Sequence, residues 1–187
     1  MAEIVLYPAA SGDDGEWNPV AAFYSNQWNI IIGRDSDTGL EHSFIRFPSA
    51  AIPQGAVISS AILSFVANAS DSGTSVKSNI YGNDVDDATA PTNYTEAEAL
   101  NLTSAVVAWD DLESWTAGSS YNSPDIKTVI QEIVSRPGWV SGNGLMIVIR
   151  NNGSTTAHRK PRTYDYGSGF PALTINIQEA SETIEVP

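Results

Sequence analysis

The chain contains no cysteine, which excludes a disulfide framework and any thiolate metal centre. Basic residues are scarce: 9 Lys plus Arg stand against 22 Asp plus Glu in 187 residues, a formal net charge of −13. A nucleic-acid duplex and an anionic membrane face both repel such a surface, so neither is an expected partner. No apolar run approaches the roughly 20 residues that span a bilayer. The opening "MAEIVLYPAA" lacks the basic start and the long apolar stretch of a secretion signal. Histidine occurs only twice, at His42 and His158. His42 adjoins Ser43 in "LEHSFIRF", but neighbours on a strand point to opposite faces. His158 lies in the basic stretch "TTAHRKPR". Neither supports a nucleophile–base pair, and the chain is not expected to be an enzyme.

What is present is alternation. In "VISSAILSFVA", Ala61, Leu63, Phe65 and Ala67 share one face. "GLMIVIR" sets Leu145, Ile147 and Ile149 against Met146, Val148 and Arg150, and "PALTINI" aligns Leu173, Ile175 and Ile177. Further strands are expected in "EIVLYP", "NIII", "HSFIRF", "VKSNIYG" and "TSAVVAW". Turns rich in Gly, Asn and Asp separate these runs, the pattern of an antiparallel sandwich. Leu63, Phe65, Ile45, Phe47, Leu145, Ile147, Leu173 and Ile175 are its expected core. One segment departs from this pattern. "SPDIKTVIQEIVSRPGW" repeats Ile126, Val129, Ile130, Ile133 and Val134 at helical spacing. Ser123 is the expected N-cap, Pro124 suits the first turn, and Pro137-Gly138 end the helix, predicted over 124–135. "TNYTEAEALNLT" suggests one short helical turn. Residues 1–178 read as a single domain, and 179–187 as an acidic tail or an arm that orders on a partner.

Three segments taken together resemble a known family. "FIRFPSAAIPQGAVISSAILSF" carries an Arg-Phe strand, a Pro-Gln-Gly-Ala turn and an Ala-Ile-Leu strand in that order. With "SPDIKTVIQEIVSRPGWVSGNGLMIVI" and "RTYDYGSGFPALTINI", it resembles the DNRLRE-type jelly-roll modules over most of residues 28–177. That family is related to carbohydrate-binding-module sandwiches and recurs in extracellular bacterial and phage-encoded proteins. The resemblance implies an all-β jelly roll and a non-catalytic attachment role, with no transferable ligand site. A free-standing module without an export signal further suggests a virion surface component, such as a phage capsid decoration or tail protein. It would act as a homo-oligomer or against other virion proteins, at the virion surface or outside the cell. The alternative is a module that binds a polysaccharide through loop aromatics.

The candidate site residues follow from chemistry. Trp17, Trp28, Tyr24 and Tyr121 flank loops and, with Trp115, which adjoins a strand or the helix, offer flat apolar faces with polar handles, as pyranose rings and protein interfaces both use. Trp109 and Trp139 are assigned to the core. "WDDLESW" places Asp110, Asp111 and Glu113 between two tryptophans, a composition that would suit a sugar cleft and a glycosidase carboxylate pair, but carboxylates adjacent in a turn of so acidic a chain read as solvated. Carboxylates in turns suit calcium, a hard cation. Three clusters qualify: Asp13, Asp14 and Glu16; Asp35 and Asp37; and, preferred, Asp84, Asp86 and Asp87 in "GNDVDDA". Arg46, inside a strand, is expected to act structurally, as a forked hydrogen-bond donor that pairs with a cross-strand acid or lies over an aromatic ring.

Overall fold

The computed structural model describes residues 2–36, 39–110 and 112–178. Among the described residues, twelve strands form two antiparallel sheets. The smaller sheet contains β1 (Ala2–Leu6), β6 (Ile58–Val66), β9 (Ser120–Asn122) and β12 (Ala172–Ile177), in the order β1-β12-β6-β9. The larger contains β4 (Ile32–Asp35), β5 (Gly39–Phe47), β7 (Ser78–Gly82), β8 (Val107–Trp109), β10 (Leu145–Asn151) and β11 (His158–Arg159), in the order β11-β4-β5-β10-β7-β8. β2 (Asp14–Trp17) and β3 (Phe23–Tyr24) add to it beside β5. The four-strand set β1-β12-β6-β9 against β5-β10-β7-β8 is the jelly-roll order, with the chain crossing repeatedly between sheets.

Period-two alternation sets the register. β10 lies against β5 with Leu145 opposite Phe47 and Ile147 opposite Ile45, so both strands turn the same residues inward. All eight expected core residues are at most 1% exposed and belong to one cluster between the sheets. The opposite faces of β5 and β10 are also covered. Phe44, Met146 and Val148 form a second cluster with Trp17, Ala88 and Ala97. Ala97 comes from the short helix α1 (Tyr94–Glu98), the turn expected in "TNYTEAEALNLT". Its N-cap is Asn93, whose side chain accepts from the Glu96 N–H at 3.1 Å.

The longer helix α2 spans Lys127–Val134, inside the predicted 124–135, and buries Val129, Ile130, Ile133 and Val134 in the main core. Ser123 does not cap it. The Ser123 hydroxyl instead accepts from the Leu63 N–H at 3.0 Å, and the Ile126 N–H donates to the Ala61 carbonyl at 2.8 Å. Residues 123–126 therefore continue along β6. An unpaired strand edge holds this segment extended before the helix can begin.

Arg46 is structural. Its Nη1 meets Asp13 Oδ1 at 2.7 Å and its Nε donates to the Ala88 carbonyl at 2.6 Å, joining the first turn and the 83–91 loop to β5. Gly144 is required beside it, since a Cβ there would lie 2.5 Å from the Ala88 carbonyl oxygen.

Candidate binding cleft

β8 ends the larger sheet and β9 ends the smaller one, so these two short strands border the same open side of the sandwich. A cleft of 210 Å³ opens there, lined by Trp109, Asp110, Leu112, Glu113, Trp115, Tyr121 and Asn122. Its floor is aromatic. Trp115 and Tyr121 stack with centroids 4.7 Å apart and planes at 7°, and Phe65 stacks on Trp109 at 5.9 Å and 16°. Parallel rings at such separations are a favourable arrangement and fix one another's orientation. Tyr121 reaches this position because β9 pairs with β6, opposite Phe65. Its hydroxyl accepts from the Thr116 N–H at 2.8 Å, so the phenol is held at both ends. Trp115 is anchored through its backbone, which exchanges hydrogen bonds with Asp71 at 2.8 and 2.9 Å. Trp109 and Trp115 are largely covered, Tyr121 is half-buried, and Asp110, Glu113 and Asn122 form an exposed rim.

The loop carrying Leu112 and Glu113 is held from below by Arg159. This guanidinium donates to the carbonyls of Glu113 at 2.6 Å, Leu112 at 2.6 Å, Gly73 at 2.9 Å and His158 at 2.7 Å. At 1% exposure it cannot reach a ligand and acts as a positioning residue. Within "HRKPR" the sequence shows only a basic stretch. The one available signal was strand alternation, which turns Arg159, Pro161 and Thr163 inward and leaves Lys160 and Arg162 half-buried.

The cleft gathers Trp115 and Tyr121 from the expected aromatics, together with Asp110 and Glu113. Asp111 lies outside the described residues. Trp17 belongs elsewhere: it is wholly buried in the second cluster, its Nε1 donating to Glu98 Oε2 at 2.8 Å and the Arg150 guanidinium 5.5 Å from its ring centre. Alternation along β2 could not reveal that a second layer covers this face. Trp28 is 69% exposed, on a loop whose backbone is fastened to Thr163, and Tyr24 is exposed as well. Trp109 and Trp139 are core, as expected, and Trp139 donates from Nε1 to the Ile52 carbonyl at 2.9 Å.

In the preferred calcium cluster each carboxylate is already engaged. Arg136 grips Asp84 Oδ1 at 2.5 Å and Asp86 Oδ1 at 2.7 Å, while Asp87 Oδ1 accepts from the Gly144 N–H at 2.7 Å. A cation there would have to displace a guanidinium already paired twice. Among the described residues, no group of three or more Asp, Glu or His is placed to hold a metal.

The first acidic cluster is interior. Asp13 pairs with Arg46, Asp14 accepts from the Tyr164 N–H at 2.8 Å, and Glu16 accepts from the Ile31 N–H at 2.5 Å. Burial pushes the Asp14 carboxyl up to about 7 and, with Glu41 adding repulsion, the Glu16 carboxyl up to about 8. Asp37 lies outside the described residues.

His42 and Ser43 do not form a pair. The Asn151 N–H donates to His42 Nδ1 at 3.2 Å, and Ser43 donates to the Ile31 carbonyl at 2.8 Å. Burial, reinforced by the Arg150 charge, pulls the imidazole down to about 4. His158 sits between Asp71 at 3.5 Å and Asp35 at 3.9 Å.

No family model matches the chain, and none of the curated proteins matches it.

Proposed function

We propose that the protein is a non-catalytic attachment module that recognises a polysaccharide through the cleft between β8 and β9. The observation carrying this reading is the convergence of Trp109, Trp115 and Tyr121 with Asp110, Glu113 and Asn122 in one cavity. Trp109 and Trp115 are almost wholly covered, so the half-buried Tyr121 ring offers the accessible flat face for a sugar C–H surface, and Asp110, Glu113 and Asn122 offer partners for its hydroxyls. A volume of 210 Å³ is below the roughly 300 Å³ at the lower end of ordinary small-molecule pockets, so the cleft takes one ring of a chain. The carboxyls that burial pushes upward, Asp14 and Glu16, do not line it. The resemblance to DNRLRE-type modules agrees with binding without turnover.

A glycan array read with the purified chain tests this. Retained glycans should be released when Tyr121 is replaced by alanine, with affinity falling at least about tenfold, the equivalent of ~1.4 kcal/mol. Circular dichroism should be unchanged. Retention that ignores Tyr121→Ala would refute the site, and hydrolysis of a bound glycan would refute the non-catalytic role.

A second reading is a virion surface component working through protein contacts, and Trp28 favours it. A 69% exposed indole on a backbone-fastened loop resembles the aromatic anchors of protein interfaces. Light scattering discriminates: an oligomer that Trp28→Ala dissociates supports this reading, and a monomer in both forms removes it.

A further inference from the structure

We infer that the protein has a second binding site, a cavity beside α1 that takes a small neutral molecule bearing an acetamido group. The cavity measures 340 Å³ and lies between the 83–91 loop and the C-terminal end of α1. It shares no lining residue with the β8–β9 cleft and does not depend on the glycan reading. Val85 and Leu100 pack against the second cluster from one side and line the cavity from the other, with Ala90 beside them. All three are half-buried, so their apolar surface is open to a ligand.

The most buried group of the lining is Asn83. Gly82 before it turns toward Ile133 in the main core, so Asn83 turns the other way, toward the layer under α1. Its N–H donates to the Met146 carbonyl at 2.9 Å, which fixes the backbone that carries the amide. The residue is 5% exposed, and its Oδ1 is buried with no hydrogen-bond partner. A buried polar group left unbonded is uncommon in folded proteins and calls for an explanation. Half a turn of the amide exchanges Oδ1 for Nδ2 in the same volume, so Asn83 can offer the cavity a donor or an acceptor.

The two carboxylates of the lining are already supplied. Asp87 Oδ1 accepts from the Gly144 N–H at 2.7 Å. Glu96 Oε2 accepts from the Thr92 N–H at 2.7 Å, and Oε1 from Asn93 Nδ2 at 2.8 Å. An ammonium ligand would have to compete with those donors. Among the described residues, no Lys or Arg lines the cavity to hold an anion. The unmet group is one neutral amide, and another amide is its natural complement. The carbonyl or N–H of an acetamido group bonds Asn83, and its methyl packs on Val85 and Leu100. The volume is at the lower end of ordinary ligand sites, which suits one N-acetylated sugar or amino acid.

The full chain, labelled with nitrogen-15, is titrated with N-acetylglucosamine, N-acetylglycine methylamide, glucose, acetate and ethylamine. At about pH 7 the last two are charged. Both acetamido compounds should move the Asn83 side-chain signals and the Leu100 amide, binding at least about tenfold more tightly than the other three. The tighter of the two identifies the source, sugar or peptide. Asn83→Leu should abolish binding and leave the urea midpoint unchanged or raised, because an unbonded buried amide stabilises nothing. Ala99→Trp, at an exposed position of the lining, should block entry with Asn83 intact.

Glucose, acetate or ethylamine binding as tightly as the acetamido compounds would overturn the inference, as would acetamido binding that survives in either variant. A midpoint that falls in Asn83→Leu would show the amide bonded through internal water as part of the frame, and would also overturn it. If none of the five moves the Asn83 signals, there is no such site. The β8–β9 cleft is tested through Tyr121, outside this cavity, so each reading fails on its own.

Discussion

Asp14 and Glu16 sit two residues apart on β2 and face inward, each accepting from a backbone N–H of a neighbouring segment. Their folded-state values of about 7 and about 8 lie above the ordinary carboxylate range, so the folded chain holds protons that the unfolded chain has released. Their contribution is fully present below the unfolded values and is lost as pH rises through the folded ones. His42 has the opposite sign. Its folded value of about 4 makes the folded state lose stability as pH falls from about 6.5 towards 4. Above about pH 6.5 the histidine term no longer changes with pH, and the carboxyl effect alone sets the slope. The urea midpoint should therefore fall between about pH 6.5 and 8, and the Asp14→Asn, Glu16→Gln double variant should flatten that slope. A midpoint that rises over this window, or a slope the double variant retains, would contradict the assignment.

Among the elements, the loop between β8 and β9 carries most of the proposed cleft, and Arg159 is one of the groups that hold it, through the Leu112 and Glu113 carbonyls. Replacing Arg159 by methionine keeps an apolar stem but leaves four carbonyl acceptors without their donor. Each such loss costs about 1–3 kcal/mol if unrepaired, so destabilisation of ~3 kcal/mol or more is expected, read from denaturant unfolding. Glycan affinity should fall with it, and Arg159→Lys should restore little because a point charge cannot serve the same fork. An Arg159→Met protein as stable as the parent would show that the loop holds itself.

Why some elements were legible in the sequence and others were not is also visible at this scale. Leu63, Phe65, Leu145 and Ile175 follow period-two alternation, and strand sterics convert that directly into an inward face. The stretch holding α2 was marked by apolar residues at helical spacing, but its start was not. Ser123 looks like a cap until the free edge of β6 competes for the same residues. Trp17 looks solvent-facing because alternation describes one layer at a time, and the layer covering it arrives some eighty residues later with Glu98. The cleft was half legible. "WDDLESW" shows the composition but reads as solvated turn carboxylates, and Tyr121 joins it only because two edge strands, one from each sheet, end on the same side.

For the molecule as a whole, the jelly roll provides a rigid frame whose variable chemistry sits at edges and loops. Of the nine basic residues, Arg46, Arg136, Arg150 and Lys127 pair with carboxylates and Arg159 is buried, so most of the cationic charge serves the fold. The chain as a whole is left acidic, and the proposed recognition falls to the cleft. The five tryptophans divide cleanly between these roles: Trp17 and Trp139 hold the frame, Trp109 and Trp115 line the cleft, and Trp28 stands in solvent. Each indole N–H gives its own signal in a nitrogen-15 correlation spectrum, so one titration tests the central claim directly. With a glycan retained on the array added to saturation, the Trp109 and Trp115 indole signals and the Tyr121 amide should move, while those of Trp17, Trp139 and Trp28 stay in place. Movement confined to Trp28, or no movement among the cleft residues at saturation, would contradict the account.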